Sequence, residues 1–360
     1  MDTITHALSG ALLARATTYN KIKNNVLSLR ARLIAGTLAA AFPDIDFIAR
    51  FFGIINYLET HRGITHSFVL LPVWALLLSC IFASLSKGRY RWRDFYLVSA
   101  GGIAVHILGD VITAYGTMMF APISDIKFAW PTTFIIDFYF SGIIIAALIL
   151  AGIFRHKGKQ IAITGLSVLV SYIGYQATLH HQAEEIAQSY VNQQNIKQAE
   201  IYAMPQPFSP YHWKVIVKSS ETYHMSYINL LSDEVYLTTS ESGFFERLKS
   251  IYLPTNKLQW NTVTQYGINE PQLARQVWFM ELMKSIRHFM MFPVVDHVQK
   301  IKNKQCVWFK DHRFVLDGVR EGPFRFGACK GKNTAWELFR LIDNIPVLML
   351  NSQPIGDTTR

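Results

Sequence analysis

The chain has 360 residues, half of them hydrophobic, and a formal net charge of +10. Its mean hydropathy is positive, so the chain is more apolar than a typical soluble protein, and its length allows two domains. The basic residues cluster in a few loops between apolar runs, so we attribute the charge to membrane topology and predict no nucleic-acid partner.

Two short apolar runs open the chain, at residues 4–14 and 33–43. Runs of this length are too short to cross a bilayer, so we predict a helical hairpin embedded from the outer face. His6 then lies at the outer end of one arm, and Asp44 and Asp46 follow Pro43 at the outer end of the other. Two carboxylates beside a proline suit a loop that offers oxygen ligands, although a helix-capping aspartate is the alternative for either residue.

The next motif is HRGITHS, residues 61–67, which contains two histidines. His61 and His66 would be separated by about 140° on a regular helix, so we predict that Gly63 bends the segment and lets both face one point. Arg62 is then a candidate for binding an anion. The alternative is a segment that only anchors a helix end at the membrane surface.

Four longer apolar runs follow, each long enough to cross about 30 Å of hydrocarbon. We predict full spans at 67–86, 95–117, 134–154 and 160–179. The second of these contains His106 and Asp110, which share one face of a helix because they are four residues apart. A metal ion explains an intramembrane histidine and aspartate, and a hydrogen-bonded pair that only joins helices is the alternative.

The loops between these runs alternate in charge. Twelve basic residues lie in the connections that the positive-inside rule places in the cytoplasm, whereas the intervening loops hold only Arg50, Arg62 and Lys127. The twelve are Arg15, Lys21, Lys23, Arg30, Arg32, Lys87, Arg89, Arg91, Arg93, Arg155, Lys157 and Lys159. With this orientation, scattered histidines and aspartates meet near the outer, periplasmic face: His6, Asp44, Asp46, His61, His66, His106 and Asp110.

The character of the chain changes after the last apolar run. We divide it into a membrane-embedded domain at 1–180, a connecting helix at 181–204 and an extramembrane α+β domain at 205–360, where short β-rich runs alternate with turns. The spacing of His180 and Glu184 would allow metal ligation, but their polar surroundings favour a solvated helix. Cys306 and Cys329 could form a disulfide if the last domain is periplasmic.

The motifs MDTITHA, FPDIDF, HRGITHS and HILGDVITAYGT, in this order and flanked by apolar helices, resemble the bacterial inner-membrane metal-dependent hydrolase family of the YdjM type. The resemblance covers about residues 1–180. It implies metal ligation by His6, Asp44 or Asp46, His61, His66, His106 and Asp110. The order of ligands is also similar to that of zinc-dependent phospholipase C, although a further single histidine of that enzyme is not evident here.

These observations predict a membrane-bound hydrolase that holds one or two divalent ions, with zinc the preferred metal. We expect it to cleave a phosphoester, or another ester, of a lipid or lipid-linked substrate by metal-activated water. Asp44 or Asp46 is the candidate general base, and Arg62 the candidate for stabilising negative charge. The alternatives are a metal-ion or proton transporter that uses the same residues, and a non-catalytic membrane factor with a structural metal. The sequence does not predict an oligomeric state.

Overall fold

The computed structural model describes residues 1–18, 27–239, 241–301, 303–319, 321–332 and 334–351, so Lys21 and Lys23 of the first basic loop lie outside the described residues. The chain divides into two compact units, which we describe separately. The helical unit comprises Met1–Ile48, Thr60–His181 and Met204–Pro210. The sheet unit comprises Ala49–Glu59, Gln182–Ala203 and the residues from Tyr211 onward.

The helical unit begins with the two expected short helices, α1 (Thr3–Ala16) and α2 (Leu29–Ala41), which pack against each other. A Cβ added to Gly10 would lie 2.2 Å from the carbonyl oxygen of Gly36, so the two backbones are in direct contact. Small residues allow this close approach, and it is typical of helices that associate in lipid through van der Waals packing. The hairpin therefore depends on glycine at its crossing point.

A run of short elements follows the hairpin and contains two of the sequence motifs, FPDIDF and HRGITHS. It consists of a 3₁₀ helix (Phe42–Phe52), α3 (Ile54–Thr60), a second 3₁₀ helix (Ile64–His66) and α4 (Leu71–Leu85). The Ser67 hydroxyl accepts hydrogen bonds from the backbone N–H groups of Val69 and Leu70, at 3.1 and 3.4 Å. The helix of the predicted span 67–86 consequently begins only at Leu71.

The helix α5 (Trp92–Val111) lies in the predicted span 95–117 but ends six residues earlier. Its last carbonyl groups accept hydrogen bonds from another part of the chain: Trp130 N–H donates to the Val111 oxygen at 2.7 Å, and Thr133 N–H donates to the Ile112 oxygen at 2.9 Å. These carbonyl groups have N–H donors from outside the helix, so the helix can end here without leaving them unpaired. The following residues form an irregular loop, with one antiparallel bridge between Thr117 and Phe128.

The last two helices of this region are α6 (Phe138–Ile153) and α7 (Gly158–Gln194). By length and composition, α5 and α7 could each cross a membrane, and a third span results if the segment Ile54–His66 and α4, which meet at an 81° bend, count as one. The helix α6 is apolar but shorter. Four full spans are therefore not confirmed. The helix α7 also contains the expected connecting helix up to Gln194.

The described residues from Glu200 onward form two five-stranded sheets and three short α-helices. In the first sheet β1 (Glu200–Pro205), β2 (His212–Ser219), β3 (Thr222–Asn229) and β4 (Leu253–Pro254) are neighbours in that order, and β5 (Asn261–Thr264) also pairs with β3. The second sheet is an antiparallel meander of β6 (Pro293–Ile301), β7 (Lys304–Asp311), β8 (Arg325–Gly331), β9 (Glu337–Ile342) and β10 (Ile345–Asn351). The helices are α8 (Phe244–Ser250), α9 (Pro271–Trp278) and α10 (Lys284–Phe289).

A disulfide joins Cys306 of β7 to Cys329 of β8, and the two residues are direct partners in the register of these strands. Both cysteines are buried beside Trp308 in one of the apolar clusters of the sheet unit. Cys80, in α4, is a free thiol. The pairing that the sequence left open is therefore present in the structure.

Candidate metal centre

Four side chains from three separate parts of the helical unit converge on one point. Asp44, His66, His106 and Asp110 each offer a ligand atom, and these atoms all lie within 4.8 Å of one another. We call these four residues the quartet. His106 and Asp110 are one turn apart on α5, His66 ends the second 3₁₀ helix, and Asp44 follows Pro43 after α2.

The distances within the quartet are short. The Nε2 atoms of His66 and His106 lie 3.0 Å apart, and Oδ2 of Asp110 lies 3.1 Å from the first and 3.4 Å from the second. Oδ1 of Asp44 lies 3.8 Å from Nε2 of His66 and 3.5 Å from Nε2 of His106. Two imidazole nitrogens and two carboxylate oxygens thus face a common centre.

The hydrogen bonds on the far side of each ring indicate which nitrogen carries the proton. Nδ1 of His106 lies 2.6 Å from the Ala40 carbonyl oxygen, which can only accept. Nδ1 of His66 lies 3.0 Å from the Thr65 hydroxyl and 3.5 Å from Oδ2 of Asp46. A neutral His106 ring therefore carries its proton on Nδ1, and the Asp46 carboxylate favours the same tautomer of His66. In this tautomer both rings present the Nε2 lone pair to the quartet, as metal-binding histidines do.

The two oxygens of Asp110 have different surroundings. Oδ2 faces the two histidines and, among the described residues, accepts no hydrogen bond although it is buried. Oδ1 accepts contacts from three donors: the α-amino group of Met1, Nη2 of Arg62 at 2.9 Å and Nε2 of His6 at 3.1 Å. One oxygen is fixed by the protein, and the other is left facing the centre.

His6 therefore lies beside the quartet and contacts Asp110 directly. Its ring stacks on that of His106 with 3.6 Å between the ring centroids. Arg62 is buried as well, and its Nη1 donates to the Thr113 hydroxyl at 3.0 Å and to the Asp110 carbonyl at 3.3 Å. The anion that Arg62 binds in this structure is the Asp110 carboxylate.

Asp46 lies on the outer side of the histidine motif. Its two carboxylate oxygens are each 3.1 Å from Nδ1 of His61, and Oδ2 also accepts the backbone N–H of Arg62 at 2.9 Å. With Oδ2 3.5 Å from Nδ1 of His66 as well, Asp46 can orient both rings. The rings of His61 and His66 are 6.2 Å apart and edge to face, and Nδ1 of each faces Asp46. Among the described residues, only His66 of the two belongs to the quartet.

The bend between these histidines also differs from the prediction. The left-handed backbone conformation falls on Arg62, with φ of 59°, and not on Gly63. Gly63 is required for a different reason, because a Cβ there would lie 2.8 Å from the Thr60 carbonyl oxygen. Among the described residues, His180 and Glu184 are not part of the converging group.

Two contacts of the site were missed by the sequence analysis. The Thr3 hydroxyl donates to Oδ2 of Asp44 at 2.5 Å, and the Ala40 carbonyl accepts from His106. Thr3 is three residues before His6, so the helical spacing of the first motif could have identified it. A backbone carbonyl such as that of Ala40 leaves no signal in the side-chain pattern.

Comparisons with known proteins bear on the helical unit. A model of the family described as YdjM inner membrane protein matches residues 1–183. Over 179 residues the chain is 27% identical to an uncharacterized protein of Bacillus subtilis (strain 168), YfhP. That alignment covers 49% of this chain and 52% of the relative, so the chain spans about half the length of the curated relative it matches. No solved structure matches the chain.

Proposed function

This chain belongs to the YdjM inner membrane protein family, and from that premise we propose that it is a membrane-bound, metal-dependent hydrolase of phosphoesters on lipid or lipid-linked substrates. The observation that carries the proposal is the convergence of lone pairs in the quartet. Two unprotonated Nε2 atoms 3.0 Å apart repel each other and the neighbouring carboxylates unless a cation lies between them.

The residues present fit a divalent ion. Oδ2 of Asp110 is buried and accepts no hydrogen bond from the described residues, and a metal ion satisfies such an oxygen. Two imidazole nitrogens and two carboxylate oxygens are a donor set that zinc takes in four-coordinate sites, so we propose zinc held by the quartet. A zinc ion bound there supplies Lewis acidity toward a phosphoester oxygen.

The remaining roles follow from the contacts of each side chain. Asp44 is the quartet member with an exposed edge, so we assign to it the ligand position that opens to water, and its released carboxylate then accepts a proton from the attacking water. Asp46 orients His61 and His66 through their Nδ1 atoms. Arg62 neutralises Asp110 and fixes its rotamer, which makes it a positioning residue. His6 supports the same carboxylate oxygen.

We propose that the site and the sheet unit lie on the periplasmic side of the inner membrane. Two independent observations support this orientation. The basic residues cluster in alternate loops of the helical unit, in accord with the positive-inside rule. The Cys306–Cys329 disulfide is of a kind that persists in oxidising compartments and is rare in the cytosol.

The test is to purify the full chain in detergent, measure bound metal, and assay hydrolysis on a panel of phospholipids and lipid-linked phosphates. We expect stoichiometric zinc in the wild type, metal-dependent release of product, and loss of both in His106→Ala and Asp110→Ala. Asp137→Asn is the matched control, because Asp137 caps α6 through the Phe140 N–H and does not contact the quartet. Normal metal loading in the two alanine variants would overturn the proposed site.

Two further measurements separate the rival functions. Metal uptake into proteoliposomes, without hydrolysis of any substrate, would indicate a transporter that uses the same residues. Full zinc loading with neither uptake nor hydrolysis would indicate a structural metal in a non-catalytic membrane factor. We expect hydrolysis and no uptake.

A further inference from the structure

The quartet is open to its surroundings on one side. The side chain of Asp44 is 18% exposed, whereas the side chains of His66, His106 and Asp110 are at most 1% exposed. A substrate that reaches the centre must therefore pass Asp44. The residues that surround Asp44 decide what kind of molecule can do so.

Four exposed apolar residues are close neighbours in the chain of Asp44 or of residues that line the site. Ile45 follows Asp44 directly, and Ile4 follows Thr3, whose hydroxyl donates to Asp44. Phe47 follows Asp46, and Ile64 lies between Arg62 and His66 in the sequence. The exposed fractions of these four residues range from 44% to 72%. We call Ile4, Ile45, Phe47 and Ile64 the apolar rim.

Three charged residues that lie close in sequence to the rim residues have partners within the helical unit. Asp2 caps α1 by accepting the backbone N–H and the hydroxyl of Thr5, at 3.0 and 2.6 Å. Asp46 accepts contacts from His61 and from the backbone of Arg62, and the Arg62 side chain is buried against Asp110. The charged groups of Asp2, Asp46 and Arg62 thus have partners within the helical unit, and Arg50, five residues after Ile45, is the exposed charge of the same 3₁₀ helix among its described residues.

An exposed apolar residue of α5 lies at the same depth along that helix as Asp110. Leu108 lies two residues before Asp110 on α5 and is 55% exposed, so the lipid-facing side of a candidate span reaches the level of the quartet. Water would be an unfavourable neighbour for this combined surface, at about 25 cal/mol for each Å² of apolar area. A lipid leaflet would shield the exposed apolar side chains of both the helix and the rim from water.

We propose that the apolar rim lies in the outer leaflet and admits substrate sideways from the bilayer, with the hydrocarbon chain of an amphipathic phosphoester on Ile4, Ile45 and Phe47 and its phosphate at Asp44. The proposal rests on the proposed function and narrows it: the substrate class is a long-chain lipid phosphoester that never leaves the membrane. Soluble phosphoesters would reach the site only poorly.

The first test measures where the rim lies and needs no enzymatic activity. A nitroxide is attached at Ile45→Cys in a Cys80→Ala background, in liposomes, and its accessibility to oxygen and to a water-soluble nickel chelate is compared with that of two reference labels. The label at Leu97→Cys, on the exposed side of α5, gives the accessibility expected in lipid. The label at Lys284→Cys, in the sheet unit, gives the accessibility expected in water. We expect the accessibility of the Ile45 label to equal that of the Leu97 label. An accessibility equal to that of the Lys284 label would overturn the proposal.

The second test measures substrate selection by the metal-loaded protein. We compare long-chain phosphatidylglycerol in vesicles with a soluble short-chain phosphatidylglycerol, for the wild type, Ile45→Ser and Phe47→Ser. We expect roughly tenfold slower hydrolysis of the long-chain lipid in each variant, the cost of about one lost apolar side-chain contact, with the soluble substrate unaffected. Leu97→Ser is the control, about 13 Å from His106 along the helix axis, and should change neither rate.

The outcomes of the two tests are distinguishable. An equal loss of hydrolysis rate on both substrates in the serine variants would show that the rim residues act on the structure of the site. That result would overturn the proposal that substrate enters sideways from the bilayer. Absence of hydrolysis of either substrate by the wild type would contradict the proposed function for this lipid, while the nitroxide measurement would still decide whether the rim lies in the leaflet.

Discussion

The Nε2 atoms of His66 and His106 lie 3.0 Å apart, while the Nδ1 atom of each ring faces an acceptor on its other side. This arrangement assigns one proton to each neutral ring and leaves two lone pairs in contact. The surrounding oxygens of Asp44 and Asp110 add negative charge and no proton donor. The relationship between these two histidines is therefore the strongest structural indication of a cation.

The first prediction separates the two aspartates of the FPDIDF motif. Asp44→Asn removes a charge from the quartet, and Asp46→Asn weakens only the orientation of His61 and His66. We expect about 10- to 100-fold weaker zinc binding for Asp46→Asn, and a larger loss for Asp44→Asn, by competition with a zinc chelator. Asp137→Asn should bind zinc normally. An order reversed between the two variants would contradict the assigned roles.

The second prediction concerns the hairpin. Gly10→Ala introduces a Cβ that would lie 2.2 Å from the Gly36 carbonyl oxygen, so the α1 and α2 backbones must separate. We expect a loss of about 1–3 kcal/mol in the free energy of unfolding, seen as a lower thermal unfolding temperature in detergent. Gly142→Ala in α6 is the control, because no described atom lies within 4 Å of its added Cβ. Equal stability of the two variants would show that the close crossing is not required.

The third prediction counts thiols. The chain has three cysteines, of which Cys306 and Cys329 are bridged and Cys80 is free. Protein purified without reductant and then denatured should react with one maleimide-linked polymer per chain, and with three after reduction. In Cys80→Ala the counts should be zero and two. Three reactive thiols before reduction would contradict an oxidising location of the sheet unit.

The fourth prediction concerns pH and the sheet unit. Burial, together with the charges of Lys214 and Lys310, lowers the pKa of His312 to about 3. The unfolded chain has a histidine pKa near 6.5, so it binds more protons, and stability is full above pH 6.5 and falls as the pH drops toward 3. Between pH 7.5 and pH 5.0 we expect His312 to reduce the stability of the unit by about 2 kcal/mol.

The measurement for His312 is hydrogen exchange of peptides from β2 and β7 in the full chain, in the wild type and in His312→Asn, at both pH values. Reading the difference between the two proteins at each pH removes the intrinsic pH dependence of exchange. We expect the wild type to lose protection relative to the variant at the lower pH. A difference that is independent of pH would exclude His312 as the titrating group.

The sequence was sufficient for the elements whose physical cause is local. Alternating loop charge, apolar runs and the spacing of His106 and Asp110 predicted helices that bring distant histidines and aspartates together, and the quartet contains four of the seven predicted ligands. The helix ends were wrong where tertiary hydrogen bonds decide them. The helix α5 ends at Val111, where backbone N–H groups of residues 130–133 donate to the carbonyl groups at its end. Amino-acid composition does not predict such contacts between distant parts of the chain.

The sequence also did not predict which contacts each residue of the site makes. Asp44 and Asp46 are two residues apart and chemically identical, and only the 3₁₀ backbone after Pro43 determines that Asp44 reaches the quartet and Asp46 reaches His61. Arg62 was expected to bind a substrate anion, but its left-handed backbone directs the side chain to Asp110. Such assignments depend on dihedral angles at single residues.

Every residue of the quartet comes from the first 110 residues, and so do His6, Asp46 and Arg62. A ribosome adds roughly 5–20 residues each second, so the 250 residues from Val111 to Arg360 take about 12–50 s to synthesise. The side chains of the quartet can thus come together before most of the sheet unit has been synthesised. The order of synthesis therefore allows the candidate metal centre to form before the two sheets.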